Sequence, residues 1–271
     1  MKNWIAKATR NKGGLHRFLI AALALALCLP VLADRRGQLM QQRPGSAAAT
    51  AIHYWKFDES ASPWADSVAA TAMTSGDAVL SATGILNLGV RFASVGATPI
   101  TINSDNAANI VIGGAGLTFT AWVKFASFGT SAGAQIFSFT GSSPLKRFRV
   151  VVDDTGTPNF YIGLSLQYTP TATFALNQWT LVRIQYDNST KKFGFQRSDA
   201  MNGIGSLEES AVVSDLAGST SGFIQLSSDG GPAASNDYIE DECGLWNRLL
   251  SSGEHSTLYG GGSPPSYPNV P

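Results

Sequence analysis

From Ile52 to Trp246 the chain alternates short apolar runs with clusters of Gly, Ser, Asn, Asp and Pro. The clearest runs are Ile52–Phe57, Leu86–Phe92, Leu117–Phe125, Gln135–Phe139, Phe148–Val152, Asn159–Leu164, Trp179–Tyr186, Lys192–Gln196, Phe223–Leu226 and Tyr238–Trp246. Their length and bounding turn residues predict strands. Within Leu117–Phe125, residues Leu117, Phe119, Ala121, Val123 and Phe125 share one face. Thr118, Thr120, Trp122 and Lys124 share the other, the pattern of a strand with one side on a core. Asp187-Asn188-Ser189, between TLVRIQY and KKFGF, predicts a hairpin turn. One stretch asks for a helix. Ser251 as N-cap with Glu254 three positions on predicts a capping box; His255, Leu258 and Tyr259 continue the turn and Gly260 stops it. No helical period separates the strands, which excludes a parallel α/β fold. Ten or more antiparallel strands in about 210 residues predict an all-β, two-sheet antiparallel jelly-roll sandwich in one domain, residues 52–262.

The ends read differently. Residues 1–33 carry Lys2, Lys7, Arg10, Lys12 and Arg17 and no acid, followed by the apolar run Phe18–Leu29, Pro30 and the small-residue site Val31-Leu32-Ala33. That is the order of an export signal peptide, and the run falls short of the ~20 residues that cross a bilayer. The implied location is secreted or cell-envelope, with membrane contact only in transit. Residues 34–51 read as a linker and 263–271 as a flexible tail. Without the five leader cations, 14 basic side chains stand against 19 acidic ones, a net of −5. A mildly acidic body without a basic stripe argues against a nucleic-acid partner. Cys243 is the one cysteine beyond the leader, so the body has no internal disulfide.

Three stretches carry a family likeness: HYWKFDES…ADSVAAT (His53–Thr71), TFTAWVKF with NQWTLVRIQYDNSTKKFGF (Thr118–Phe125 and Asn177–Phe195), and IEDECGLWNRLLSSGEHSTLYGGG (Ile239–Gly262). Together they resemble LamG-like jelly-roll domains of the concanavalin A-like lectin/glucanase superfamily, over about residues 52–262. The closing stretch is the most specific. Cys243 and Gly244 depart from the family pattern there, as does FGFQRSDAMNG after the hairpin. The resemblance implies a binding module for glycans or glycosylated surfaces, or an adhesive domain for cell-envelope proteins, and fold membership alone names no ligand. It also implies a structural Ca²⁺ between the N-terminal loop and the last strand, held by Asp66 and Asp241 with Glu59 or Asp58 as a third ligand. The alternative is that Asp66 caps a turn and Asp241 accepts backbone hydrogen bonds.

Regular alternation puts Glu240 and Glu242 on one strand face and Asp241, Cys243 and Leu245 on the other. Consecutive Glu-Asp-Glu does not present three acids on one face as the superfamily's glucanases do, so glycoside hydrolysis is a distant third reading. Gly129-Thr130-Ser131-Ala132-Gly133 matches a hydrolase motif, but both flanks are strands rather than a strand and a helix. His53 and His255 read as partly exposed structural residues, and Cys243 as a small buried hydrophobe. Trp55, Trp122, Trp179 and Trp246 lie on strand runs and read as packing residues. Trp64, in the polar loop ESASPWADS, is the candidate for an exposed sugar contact, with Tyr168 and Phe128 as weaker ones. The reading that follows is an exported, non-catalytic binding module whose sugar contacts lie on loops or on a concave sheet face.

Overall fold

A computed structural model describes residues 51–69, 71–75, 80–93, 101–104, 115–129, 133–141, 148–214, 216, 222–227, 236–265 and 269–271. Residues 1–50, read from sequence as an export signal and most of the linker, lie outside the described residues, as do Ser131, Lys146 and Arg147. The strands are β1 (His53–Trp55), β2 (Met73–Thr74), β3 (Leu80–Thr83), β4 (Leu88–Ala93), β5 (Thr101–Ser104), β6 (Gly116–Phe128), β7 (Ala134–Gly141) and β8 (Phe148–Val152). They continue as β9 (Pro158–Ile162), β10 (Ser165–Tyr168), β11 (Thr180–Asp187), β12 (Lys192–Asp199), β13 (Gly203–Ile204), β14 (Glu208–Glu209), β15 (Gly222–Ser227) and β16 (Asn236–Trp246). One helix, α1 (Ser252–Tyr259), follows.

The strands form two antiparallel sheets, the predicted sandwich. The first runs β13-β12-β11-β6-β16-β4-β3, with β1 also on β16 and β14 on β12; the second runs β10-β9-β8-β7-β15-β5-β2. β1 sets His53 opposite Leu245 and Trp55 opposite Cys243, so the opening and closing motifs are neighbours. At the β11–β12 hairpin, Asp187 Oδ1 accepts from the Ser189 and Thr190 amides at 2.8 and 3.2 Å, and Lys191 takes φ 55°. This side-chain-to-backbone turn is what Asp-Asn-Ser favours.

Between the sheets lies a core of rings. Phe119 and Phe137 meet at 4.5 Å across the layers, as do Phe148 and Phe193. Phe125, Phe160, Phe195 and Tyr238 extend it. Each such ring contributes on the order of 1.5–3 kcal/mol by leaving water.

The outer side of the first sheet is not solvated, contrary to the one-sided pattern read for β6. Thr118, Thr120 and Trp122 are buried there. Trp122 joins Tyr54, Leu181, Trp246, Leu250, Leu258 and Tyr259 in a second, smaller core beneath α1. Eight residues are too few for a helix to hold itself in water, so packing and caps must do it. Ser251 Oγ accepts from the Glu254 amide at 3.2 Å, and Glu254 Oε2 accepts from the Ser251 amide at 2.8 Å, the predicted capping box. Gly260 at φ 55° ends the helix. His255, expected to be partly exposed, is fully buried, with Nε2 2.8 Å from Ser198 Oγ. Beside it the Arg183 guanidinium is buried on Gln185 and Gln196. The last residues also return to this layer: Trp246 Nε1 donates to the Pro271 carbonyl at 3.1 Å, and Val270 packs against the cluster. Composition alone reads that tail as flexible; at its end it is tied down.

Candidate functional site

A cleft of about 720 Å³ opens beside this outer layer. Its floor is Trp122, whose ring stacks on Tyr259 at 5.9 Å and 20°. Its walls come from two loops. The first, 169–179, crosses from β10 to β11. Glu208 accepts from the Thr171 and Ala172 amides, and the Asn177 amide donates to the Phe125 carbonyl at 2.6 Å, with Asn177 at φ 59°. This pins Leu176, Asn177, Gln178 and Trp179 along the cleft. The second is the turn after β12, where Asp199 Oδ1 accepts from the Met201 and Asn202 amides at 3.0 and 2.7 Å. Gln178 Nε2 donates to the same carboxylate at 2.8 Å, so Asp199 joins the two loops. Burial pushes the Asp199 carboxyl up, but bonds from Asn202 and Met201 and the charge of Arg197 outweigh it and hold it below the ordinary range.

Met201 projects from the turn with 80% of its surface exposed, and Leu176 is 48% exposed. The Lys124 ammonium lies 6.0 Å from the Trp179 ring centre. The lining holds no His, Cys, Asp or Glu. Two indoles, two amides and apolar flanks form a surface that can hold a neutral, partly apolar ligand. The lining supplies no general acid, base or nucleophile.

The outer face of the second sheet carries a polar row. Register aligns Thr74, Asn103, Gln225, Ser138, Arg149 and Tyr161 across its strands. Arg149 lies 4.8 Å over the Tyr161 ring. The middle of this face is closed, since Ser138 and Gln135 are buried.

None of the three aromatic residues singled out from sequence lines the cleft. Trp64 is 1% exposed, which corrects the expectation of an open contact. A bridge to Met73 draws it inward, its ring meets Phe57 edge-on at 5.9 Å, and Nε1 donates to the Glu59 carbonyl. Phe128 is half-buried against Phe125 and covers Gly156. Tyr168 is half-buried against Phe160, and burial together with Glu208 and Glu209 pushes its hydroxyl up to about 12. The tryptophans that do line the cleft are Trp122 and the more exposed Trp179, both read from sequence as packing. The signal for Trp179 was local: Asn-Gln precedes it, just outside β11, where side chains are not yet committed to the sheet.

The calcium ligands do not converge. Asp66 uses Oδ2 on His53 Nδ1 at 2.6 Å and Oδ1 on the Tyr54 and Val68 amides. Asp241 accepts from the Ile85, Leu86 and Glu242 amides. Glu59 Oε1 accepts from the Ala65 amide. Among the described residues no three His, Cys, Asp or Glu side chains gather as a metal-holding group. Six or more oxygens are what Ca²⁺ requires, and those of Asp66 and Asp241 are spent on protein donors. Of the third-ligand candidates, Asp58 Oδ1 and Glu59 Oε2 are buried without a hydrogen-bond partner.

The acidic run is also arranged differently from its reading. Glu242 takes φ 50° in a bulge, so the alternation slips between Asp241 and Gly244. Glu240 therefore faces the main core with Tyr238, Cys243 and Leu245, while Glu242 Oε2 accepts from Tyr54 Oη at 2.6 Å on the other side. Burial, countered by Tyr54 and reinforced by Asp58, brings the Glu242 carboxyl to about 7, and burial lifts Asp241 to about 8. His53, expected at the surface, is buried in its pairing with Asp66.

No family model matches the chain, and no curated protein sequence matches it. Solved structures do. One concerns cell entry of botulinum neurotoxin type C through two ganglioside molecules, at TM-score 0.60 and 10% identity, covering 79% of this chain and 51% of that one. Lectin II from Ulex europaeus matches at TM-score 0.50 and 13% identity over 72% of this chain and 98% of the lectin. A Trypanosoma rangeli sialidase matches at 0.53 and 16%, over 78% of this chain and 32% of the enzyme. The chain thus spans about half of the neurotoxin chain it matches. These likenesses establish the lectin-like jelly-roll fold; the LamG resemblance rests on its motifs.

Proposed function

We propose that this protein is a non-catalytic carbohydrate-binding module whose sugar site is the cleft between Trp122, Trp179 and Met201. The observation that carries the reading is the lining itself: indole surface beside two side-chain amides, with no acid, base or nucleophile. Pyranose rings present C–H faces that pack on aromatic surface and hydroxyls that bond to amides. The fold supports it, since structural neighbours include a Ulex europaeus lectin complexed with galactose. The leader-like residues 1–33 support a role outside the cytoplasm, in the envelope or beyond it.

Hydrolysis finds no support in the acids. Glu240, Asp241 and Glu242 are buried, and a Ser–His pair, Ser198 with His255, is buried too, its His Nδ1 without a partner. The test is a glycan array followed by calorimetry on the hits. Trp179→Ala should weaken binding at least tenfold while leaving the unfolding temperature within a few degrees. An array silent across plant, bacterial and animal sugars, with the fold intact, would overturn the reading in favour of an adhesive domain for envelope proteins.

A further inference from the structure

The cleft also constrains which sugar enters it, an inference that rests on the proposed sugar site. Gln178 is oriented by its neighbour. Its Nε2 is committed to Asp199 Oδ1, and a carboxylate held ionised can only accept, so the amide cannot flip. With one Nε2 hydrogen committed, the orientation of the amide is set and its carbonyl oxygen becomes a fixed acceptor that calls for an N–H or O–H on the ligand, beside the second Nε2 hydrogen. Flanking it are the exposed aliphatic ends of Met201 and Leu176 and the half-buried ring of Trp179. A methyl group would lose water against these surfaces, and a thioether adapts readily to such a group. Neither a carboxylate to match a free amine nor an arginine to match an acid lines the cleft. The loop is also set in advance: the Asn177 amide bond to Phe125 holds the backbone just before Gln178, and the Asp199 junction holds the Gln178 side chain. Little ordering is then left to the moment of binding.

We infer that the cleft selects an N-acetylated neutral sugar, with the acetamido N–H donating to Gln178 Oε1 and the acetyl methyl lying against Met201, Leu176 and Trp179. An acetamido group alone among common neutral sugar substituents places a donor next to a methyl. One methyl and one hydrogen bond together are expected to favour it about tenfold over the parent hydroxyl sugar.

The experiment compares the methyl glycosides of N-acetylglucosamine, N-acetylgalactosamine, glucose, galactose and glucosamine by calorimetry on the full chain. The expected order puts at least one N-acetyl sugar about tenfold or more ahead of its hydroxyl parent, with the free amine weakest. Gln178→Met and Met201→Ser should each shrink that ratio toward one while both variants keep the wild-type unfolding temperature. If hydroxyl and N-acetyl sugars bind equally and Trp179→Ala still abolishes both, the acetamido inference fails and the sugar site stands. If an N-acetyl preference survives Trp179→Ala and Gln178→Met unchanged, the site lies elsewhere and both readings fail. The wild-type ligand series decides the preference even where a variant does not fold.

Discussion

Glu240 sits where a jelly roll has every reason to place an aliphatic side chain. It is fully buried, opposite Val90 on β4 and Val123 on β6, with Oε1 lacking any partner and Oε2 meeting only the Cys243 thiol at 3.7 Å. Burial pushes its carboxyl well above the ordinary range, and the thiol offsets this only in part. Replacing it with methionine, of similar length, removes an unmatched polar group worth about 1–3 kcal/mol. A pH-dependent part adds to this. Below about pH 4.5 the carboxyl is neutral both folded and unfolded. As pH rises, the unfolded chain ionises while the folded one stays protonated, so wild-type stability falls by about 1.4 kcal/mol per pH unit until the folded carboxyl ionises as well. Glu240→Met should therefore be more stable than wild type by about 1–3 kcal/mol at pH 4, and the gap should widen as pH rises above about 5. At this chain length each kcal/mol corresponds to about 2–4 °C in unfolding temperature. Urea titrations at pH 4, 5, 6 and 7 measure the gap. A gap that is flat with pH, or a variant less stable than wild type at pH 7, would refute the assignment of a neutral, unmatched carboxyl to the core.

His255 predicts the opposite limb: burial, with the Arg183 charge nearby, lowers it to about 4, so its share of stability is whole above about pH 6.5 and lost as pH falls toward 4. His255→Gln should flatten that part of the stability–pH curve, and an unchanged acid limb would count against a buried neutral ring. Calcium should leave the unfolding temperature of chelator-treated protein unchanged up to millimolar concentrations, because Asp66 and Asp241 are already satisfied by protein donors; a rise of several degrees would reverse that conclusion.

Period-2 runs identified ten of the strands, and local chemistry identified the Asp187 turn and the Ser251 capping box, because each of these is decided by residues close in sequence. β2, β3, β5, β10, β13 and β14, two to four residues each, carry too little pattern to be seen. The bulge at Glu242 was equally invisible, and it puts Glu240 on the same face as Cys243 rather than opposite it. Trp64 misled because its polar neighbours suggest a surface loop, whereas pairing with Met73 turns the ring inward. The cleft depends on contacts between distant positions: Asn177 with Phe125, and Gln178 with Asp199. Composition holds no trace of such pairings. Trp122 and Trp179 read as packing residues because they lie on strand runs; which aromatic residue meets solvent was a tertiary outcome.

β16 occupies the middle of the first sheet, with β6 on one side and β4 and β1 on the other. A ribosome producing this polypeptide leaves a gap at the centre of that sheet until residue 246 has emerged. Until then β3 and β4 have no link to β6, β11 and β12, and pairings this distant in sequence are slow to form.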